Sequence, residues 1–432
     1  MPVTGESLRG YLLRVADSNG LAGLRLLLDQ VNIDAPENEL EAVAAFMGRS
    51  KNDLKRLTGV VPKADASRGG LQHALGLPIR FWNTSYPRFC PVCLEKSNIW
   101  QAQWELALVV ACPIHRLRLV DQCQKCHQVI RWSRKHLMQC DCGQSLTEIT
   151  AEGCTEEESG ISVRQMHLLL PEVFEEPMEY DVLKSLGLND LTCLLWFIGG
   201  YVSGISAKPL KITGVYRVEV ALQLMNAAGA SFTCWPKNFH SFMYEFGDFG
   251  GNSNNMTGLM KRFGFFYHSL YRNFEGEKFA FLHKTFEDFL KEYWPGAFAK
   301  RNRRLSNELI QDHRMLALPM VAKELRVTRK KIKQMIANGQ LAASTYITSS
   351  GRKVISIDRE SLLMLKSAQT DWVTFAEARS MLGLSKKRFR SLMDMDVMKA
   401  VSGPKIDGSA VWRFSRTIIE TILSKPEAIT IK

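Results

Sequence analysis

The chain has 432 residues, 46% hydrophobic and 23% charged, the composition of a soluble globular protein of roughly two to four domains. No apolar run is long enough for a transmembrane helix, and the opening MPVTGESLRG has no apolar signal core, so the expectation is a cytoplasmic chain with no membrane contact. Of 56 Lys+Arg and 44 Asp+Glu, 22 and 11 fall in residues 311–432, leaving 34 against 33 elsewhere, so a polyanion-binding surface belongs mainly to the C-terminal end.

In chain order, residues 6–31 space Leu8, Tyr11, Leu12 and Val15 as one helix face; Asn19-Gly20 ends that helix and a second runs through Leu28. LEAVAAFMGRSKNDLKRL (40–57) predicts a helix, a turn at Gly48 and a second helix capped by Ser50. It is either an αα packing unit or a helix-turn-helix. VPKADASRGG (61–70) has linker composition. A cysteine block fills 90–143, and EGCTEEESG (152–160) is expected as an acidic loop closing it. From about 161 to 300 the pattern is mainly helical, with Phe, Leu and Met at core spacing, and AKRNRRL (299–305) adds a basic run.

The last part of the chain repeats itself at an offset of 57 residues: PMVAKELRVTRKKIKQMIANGQL (319–341) aligns with AEARSMLGLSKKRFRSLMDMDVM (376–398). In each copy a short helix ends near Arg326 or Gly383, and Thr328 or Ser385 caps a second helix burying Ile332 and Met335, or Phe389 and Leu392. Each copy then has a hairpin signal, TYITSSGRKVISI (345–357) and PKIDGSAVWRF (404–414), with Ser-Gly and Asp-Gly at the turns. Two winged helix-turn-helix units in tandem are therefore expected. Their second helices begin with cations, Arg329, Lys330, Lys331 and Lys333 matching Lys386, Lys387, Arg388 and Arg390. Positive charge in a first turn opposes the helix dipole, which points to an anionic partner, double-stranded DNA.

Seven of the ten cysteines lie between Cys90 and Cys142, a clustering that favours metal ligands over disulfides. Cys90-x2-Cys93 precedes Cys112-x2-His115, and Cys123-x2-Cys126 precedes Cys140-x-Cys142. Side chains two residues apart on a tight knuckle reach one tetrahedral ion, so the simplest assignment is two structural zinc ions. Cys90, Cys93, Cys112 and His115 hold the first, and Cys123, Cys126, Cys140 and Cys142 the second. His127 and His136 are spare ligands. Cys154, Cys193 and Cys234 stand alone and are expected as core thiols. Four protein ligands per ion leave no position for a reacting water. FCPVC has no His-x-Glu before it, as a zinc deaminase requires. Phosphate-loop, GxSxG and HExxH motifs are missing, so the chain is expected not to be an enzyme.

The opening ESLRGYLLRVADSNG, the order CPVC…ACPIHRLRLVDQC with Trp100 and Trp104 between the knuckles, the CxxC…CxC that follows, and WPKNFHSFM together resemble the TniQ/TnsD family, from roughly Glu6 to Trp294. The resemblance implies a non-catalytic DNA-transposition protein that selects the target site and recruits an ATPase regulator, which brings in the transposase. Some members bind an attachment site directly. Others are adaptors on a CRISPR RNA-guided effector complex, often as homodimers. The resemblance carries the family's zinc-ligand positions onto the same eight residues. A zinc-containing transcriptional regulator is the alternative from another class. The expected fold is mainly α and multidomain: a helical N-terminal unit (1–70), a double zinc-ribbon block (71–150), a helical middle (151–310), and winged helix-turn-helix units at 311–368 and 369–432.

Overall fold

The computed structural model describes all residues except 35, 37–38, 59, 63–70, 74–76, 84–85, 176–179, 205–210, 251–257, 299–301, 348–352 and 425–432. Most of the expected linker at 61–70, the start of the basic run at 299–301 and the Ser-Gly turn of the first hairpin lie outside the described residues. The chain divides into two compact units, residues 1–243 with 273–281, and residues 244–272 with 282–432.

The first unit opens with α1 (Leu8–Ser18), where Ser7 Oγ accepts from Gly10 N at 3.0 Å, followed by α2 (Leu24–Asp29), α3 (Leu40–Phe46) and α4 (Lys51–Thr58). Gly48, at φ +60°, turns the chain between α3 and α4, and Ser50 Oγ accepts from Asp53 N. A short antiparallel pair, β1 (Val60–Pro62) with β2 (Leu71–His73), leads to the cysteine block. That block contains little regular structure: α5 (Pro91–Ser97), and β3 (Ala111–Cys112) paired with β4 (Leu117–Arg118). The helical layer that follows is α6 (Glu156–Leu169), α7 (Leu188–Val202) and α8 (Val218–Phe232). The acidic stretch expected as a loop is instead largely the first turn of α6. Thr155 and Glu158 form a reciprocal capping box, and Glu156 and Glu157 sit where the helix dipole favours negative charge. The crossing of α7 and α8 depends on Gly199, since a Cβ there would lie 2.3 Å from the Leu224 carbonyl oxygen. Among the described residues no helix is long and apolar enough to cross a membrane.

Helices α9 (Lys237–Phe246), α10 (Leu259–Asn273), α11 (Ala280–Tyr293) and α12 (Asn307–Asp312) complete the helical middle. In the second unit Phe249, Phe263, Phe286, Phe289 and Trp294 interlock edge to face, so most of the aromatics here are core, whereas Phe265 and Tyr244 are exposed.

The repeat is larger than its helix pair. The first copy is β5 (Met315–Ala317), α13 (Leu318–Glu324), α14 (Arg329–Ala337), β6 (Ala343–Ile347), β7 (Lys353–Asp358) and α15 (Arg359–Thr370). Its sheet is antiparallel in the order β5-β7-β6. The second copy is β8 (Trp372–Thr374), α16 (Phe375–Met381), α17 (Lys386–Asp394), β9 (Arg413–Ser415) paired with β8, and α18 (Arg416–Ser424). Thr328 and Ser385 cap α14 and α17 as expected, accepting from Lys331 N and Arg388 N. Each copy also closes with the same backbone bond at 2.8 Å, Arg359 N to Arg314 O and Arg416 N to Asp371 O. The second hairpin does not form. Among the described residues it is reduced to one bridge, Ser402 to Arg413, because Asp407 turns inward and its carboxylate accepts from Gly403 N, Ser409 N and Ser402 Oγ. Those bonds curl residues 402–409 into a closed loop where a strand was expected.

At the base of the first copy, His313 is 1% exposed; its Nδ1 accepts from Met315 N at 3.1 Å, and its ring meets Phe298 edge-on. Burial holds its pKa below the ordinary imidazole value of 6.5. The unfolded chain therefore takes up the proton first, and this contribution to stability is complete above about pH 6.5 and lost as pH falls below it. Amide exchange at Met315–Ala317, corrected for intrinsic rates, should accelerate between pH 7.5 and 5.5. In His313→Asn, which keeps an acceptor but cannot ionise, that acceleration should disappear; an unchanged pH response in the variant would refute the assignment.

Candidate metal centres

Each knuckle is built by local rules. Cys90 stands at the N-cap of α5 with Pro91 at its first position, which places Cys93 one turn along the same helix. Cys112 ends β3, and Pro113-Ile114 turns the chain so that His115 faces back; Arg116 takes a left-handed φ of +53° as β4 begins. In the second half, His127 N donates to Cys123 O and Gly143 N to Cys140 O, closing the two turns.

The structure brings the eight residues into two groups, Cys90, Cys93, Cys112 and His115, and Cys123, Cys126, Cys140 and Cys142, with ligand atoms in each group within 4.8 Å of one another. Sulfurs at the corners of a tetrahedron with metal–sulfur bonds of about 2.3 Å lie about 3.7 Å apart. Observed separations are 3.6 Å for Cys93–Cys112, 3.6 Å for Cys123–Cys142 and 3.7 Å for Cys126–Cys140. His115 presents Nδ1 at 3.2 to 3.6 Å from the three sulfurs of its group. Four soft donors at this spacing fit a tetrahedral ion, and both groups are consistent with metal sites.

The protonation chemistry agrees. Hydrogen bonds from Cys112 and Cys93 draw the Cys90 thiol down to about 2, those with Cys112 and then Cys90 push Cys93 up, and bonding to Cys90 carries Cys112 to about 11. Desolvation carries Cys140 to about 12, and the Gln144 N–H leads in bringing Cys142 down to about 7. Crowded sulfurs cannot all ionise beside one another; a divalent cation at their centre removes the conflict by favouring every thiolate.

The two groups share one frame. Trp100, from the link between the first pair of knuckles, is fully buried against Phe89, Trp104 and Trp132. Arg134, from the second half, is 1% exposed and lies over Trp100 at 4.3 Å and Trp132 at 5.3 Å. Its guanidinium donates to Arg131 O and Leu137 O, and burial lowers its pKa to about 9, so it stays charged at neutral pH. Helix α1 rests on the same Trp100: a Cβ at Gly10 would meet Trp100 Cβ at 2.4 Å, and Ser7 N donates to Trp100 O at 2.7 Å.

The spare histidines are not among the clustered residues. His136 Nδ1 pairs with Asp17 Oδ1 at 2.9 Å, and His127 is a left-handed turn residue at φ +57°. The three solitary cysteines are not a core set: Cys154 and Cys193 are half-buried and Cys234 is exposed. Neighbouring polar groups explain this, since Cys193 lies 3.6 Å from Asn189 Oδ1 on its own helix and Cys154 starts the turn into the acidic end of α6. Sequence reasoning missed Arg134, whose position after WS carries no motif signal.

Of the C-terminal cations, Arg329, Lys330, Lys333, Lys386, Lys387 and Arg390 are exposed and Arg388 is half-buried. Lys386, Lys387, Arg390, Ser391 and Asp394 line a shallow cleft of about 550 Å³ along α17. Lys331 is set apart, because its ammonium is held by Asp407.

Metal analysis of the purified protein should return one ion for each of the two clusters, and Cys93→Ser and Cys126→Ser should each lose one. Chelation should abolish amide protection across residues 90–142. Native protection after complete metal removal would sink a structural role.

Comparison with known proteins returned one family match: residues 1–119 fit the TniQ family model. The match ends just beyond His115, so it takes in the first cluster and is shorter than the stretch to Trp294 over which the motifs resemble the family. No curated protein matches the chain. Residues 1–119 are thus a TniQ family domain, and proteins of that family are transposition accessory proteins, generally non-catalytic.

Proposed function

We propose that the protein selects the target site for DNA transposition, binding double-stranded DNA through its C-terminal repeats and recruiting an ATPase regulator and transposase through the rest of the chain. The observation that carries the DNA reading is the duplicated helix pair. Arg329, Lys330 and Lys333 on α14 correspond one for one to Lys386, Lys387 and Arg390 on α17, all six exposed. Among the described residues none of the six is ion-paired. Arg329 and Lys330, like Lys386 and Lys387, occupy the first turn of their helix, where the dipole disfavours cations by roughly 0.3–1 kcal/mol apiece at low salt. Binding to phosphates would offset that cost.

Backbone strain supports the same reading. The turn before α17 uses Gly383 at φ +65°, and the equivalent turn before α14 uses Arg326 at φ +54°. A non-glycine residue there costs on the order of 1 kcal/mol. Arg326 is exposed and adjoins the cations of α14, a place where its charge serves an anionic partner.

Zinc is the ion this reading assigns to both clusters, with Cys90, Cys93, Cys112 and His115 around one and Cys123, Cys126, Cys140 and Cys142 around the other. The ion would supply folding free energy, because all of its positions are filled by side chains. A basic duplicated module favours direct DNA binding over recruitment by an RNA-guided complex alone.

Replacing all six exposed cations with Gln should weaken binding to duplex DNA and flatten its salt dependence by about 0.9 in slope for each phosphate that is no longer neutralised. An unchanged slope would rule out these helices as the DNA-binding surface. Arg326→Gly should leave the fold as stable or more stable, by up to about 1 kcal/mol, while lowering DNA affinity. Unaltered affinity in that variant would remove the functional explanation for the strained arginine.

A further inference from the structure

The second copy's expected wing is a closed loop, and its chemistry faces the first copy. Asp407 is the centre of this loop: Oδ1 accepts from Gly403 N at 3.0 Å and Ser409 N at 3.1 Å, and Oδ2 accepts from Ser402 Oγ at 3.0 Å. The Gly403 carbonyl accepts from the N–H groups of Ile406, Asp407 and Gly408, and Gly403 lies against Trp412 with no room for a Cβ, which would meet the indole at 2.3 Å. The loop is therefore rigidly built around a carboxylate whose side chain is only 6% exposed.

The cation that faces this carboxylate comes from the other copy. Lys331 Nζ lies 3.2 Å from Asp407 Oδ2 and donates to the Asp407 carbonyl, with its side chain 23% exposed. Two turns along the same face of α14, Asn338 Nδ2 donates to Ile406 O at 3.4 Å. Trp372, on the first strand of the second copy, packs against the hydrophobic core of the first. Residues 331 and 338 fall on one side of α14, Ile332 and Met335 on the buried side, and Arg329, Lys330 and Lys333 on the remaining exposed side. The loop thus grips α14 without covering its exposed cations.

We propose that loop 402–409 is a clasp that locks the two repeats into one body, with Lys331 and Asp407 as positioning residues that fix α14 relative to the second copy. The role of the clasp rests on the DNA-binding reading: a locked pair presents two cationic helices at one fixed separation, so a single duplex is engaged at two tracts with constant spacing. An unlocked pair would let each copy find its own register, as tethered modules do. Lys331 then contributes nothing to phosphate binding, in contrast to its sequence neighbours.

The test uses the full-length protein with Lys331→Met, which keeps the stem and removes the charge, and Lys331→Arg, which keeps the charge. Amide exchange at residues 403–409 should rise by about tenfold or more in the Met variant and stay near wild type in the Arg variant, with protection of the two repeat cores unchanged. Hydroxyl-radical footprints on a long duplex should show two protected tracts at constant separation for wild type and Lys331→Arg. For Lys331→Met the separation should become variable and affinity should fall several-fold, with an unaltered salt slope. Unchanged loop exchange in Lys331→Met would overturn the clasp. A salt slope reduced by about one with both tracts in place would make Lys331 a phosphate ligand instead. Absence of any wild-type footprint at low salt would overturn the DNA reading and with it the positioning role, while loop exchange judges the clasp independently.

Discussion

Seven residues, Arg116 to Gln122, join His115 of one cluster to Cys123 of the next, and the first unit is organised by how that bridge is held. Its backbone pairs with the first knuckle, Val120 exchanging hydrogen bonds with Phe89 and Leu119 N donating to Val110 O. Its side chains reach outward in both directions. Arg118 makes a fork to the Glu158 carboxylate at 2.9 Å and a further bond to Glu152. Asp121 accepts from Arg217 Nε and Val218 N, and so caps the start of α8. Helices α6 and α8 are therefore both oriented by the segment that couples the clusters. The Glu158 pairing also shows why the bridge is firm: burial works against this carboxylate, yet the Arg118 and Thr155 hydrogen bonds outweigh it and hold its pKa below the usual range.

The same unit buries three arginine side chains almost completely, Arg88, Arg134 and Arg164, a choice that is costly unless the donors find acceptors. Arg134 meets that condition with carbonyls on one edge and indole faces beside it, whereas Arg88 satisfies its two terminal nitrogens with the carbonyls of Ala107, Val109 and Val215 and leaves Nε without a partner. All these partners lie in irregular backbone. An arginine whose acceptors are loop carbonyls serves as a template for the loop, because the carbonyls must converge on its fixed fork. The cysteine block has few backbone ladders of its own, so metal-ligand groups and buried arginines together supply the order that strands supply elsewhere.

How much of this was legible follows from where the information lies. The clusters were readable because ligand spacing is local, one or two residues between the ligands of each knuckle, and the pairing of knuckles left few alternatives. The repeat was readable because its caps and core positions recur at one offset. Its outer elements were missed for two reasons: the three-residue strands β5 and β8 carry too little pattern to read, and α15 and α18 bury only Leu362 and Leu365, and Ile419, too thin an apolar stripe to stand out. The acidic loop was misread for a different reason: three successive glutamates look like a solvated segment until Thr155 is recognised as their cap. The hairpin expected at Asp-Gly failed because a turn signal specifies only the turn. Asp407 could have faced solvent in a tight hairpin, but a lysine on another repeat, 76 residues earlier, gives it a buried partner. Long-range choices of that kind, like the seat of Arg134 on Trp100, leave no trace at the level of spacing.

The two repeats also differ in an informative way. Their cores are matched in kind, Ile332 with Phe389 and Met335 with Leu392, and their backbones share caps, turns and closing hydrogen bonds. The outward sides of the second helices do not match beyond their cations: Gln334 corresponds to Ser391, and Ala337 to Asp394. A carboxylate at the last position of α17 sits where the helix dipole disfavours it, just as the cations do at the first turn. Packing places no demand on either position, since Ala337 and Asp394 are exposed. A shared framework with divergence of the outward side means that the two helices present unlike surfaces from like scaffolds. A partner that meets both of them meets two different chemistries, one amide-bearing and one carboxylate-bearing. Under the DNA-binding proposal, an asymmetric duplex would suit such a pair, whereas a palindrome would call for two identical faces.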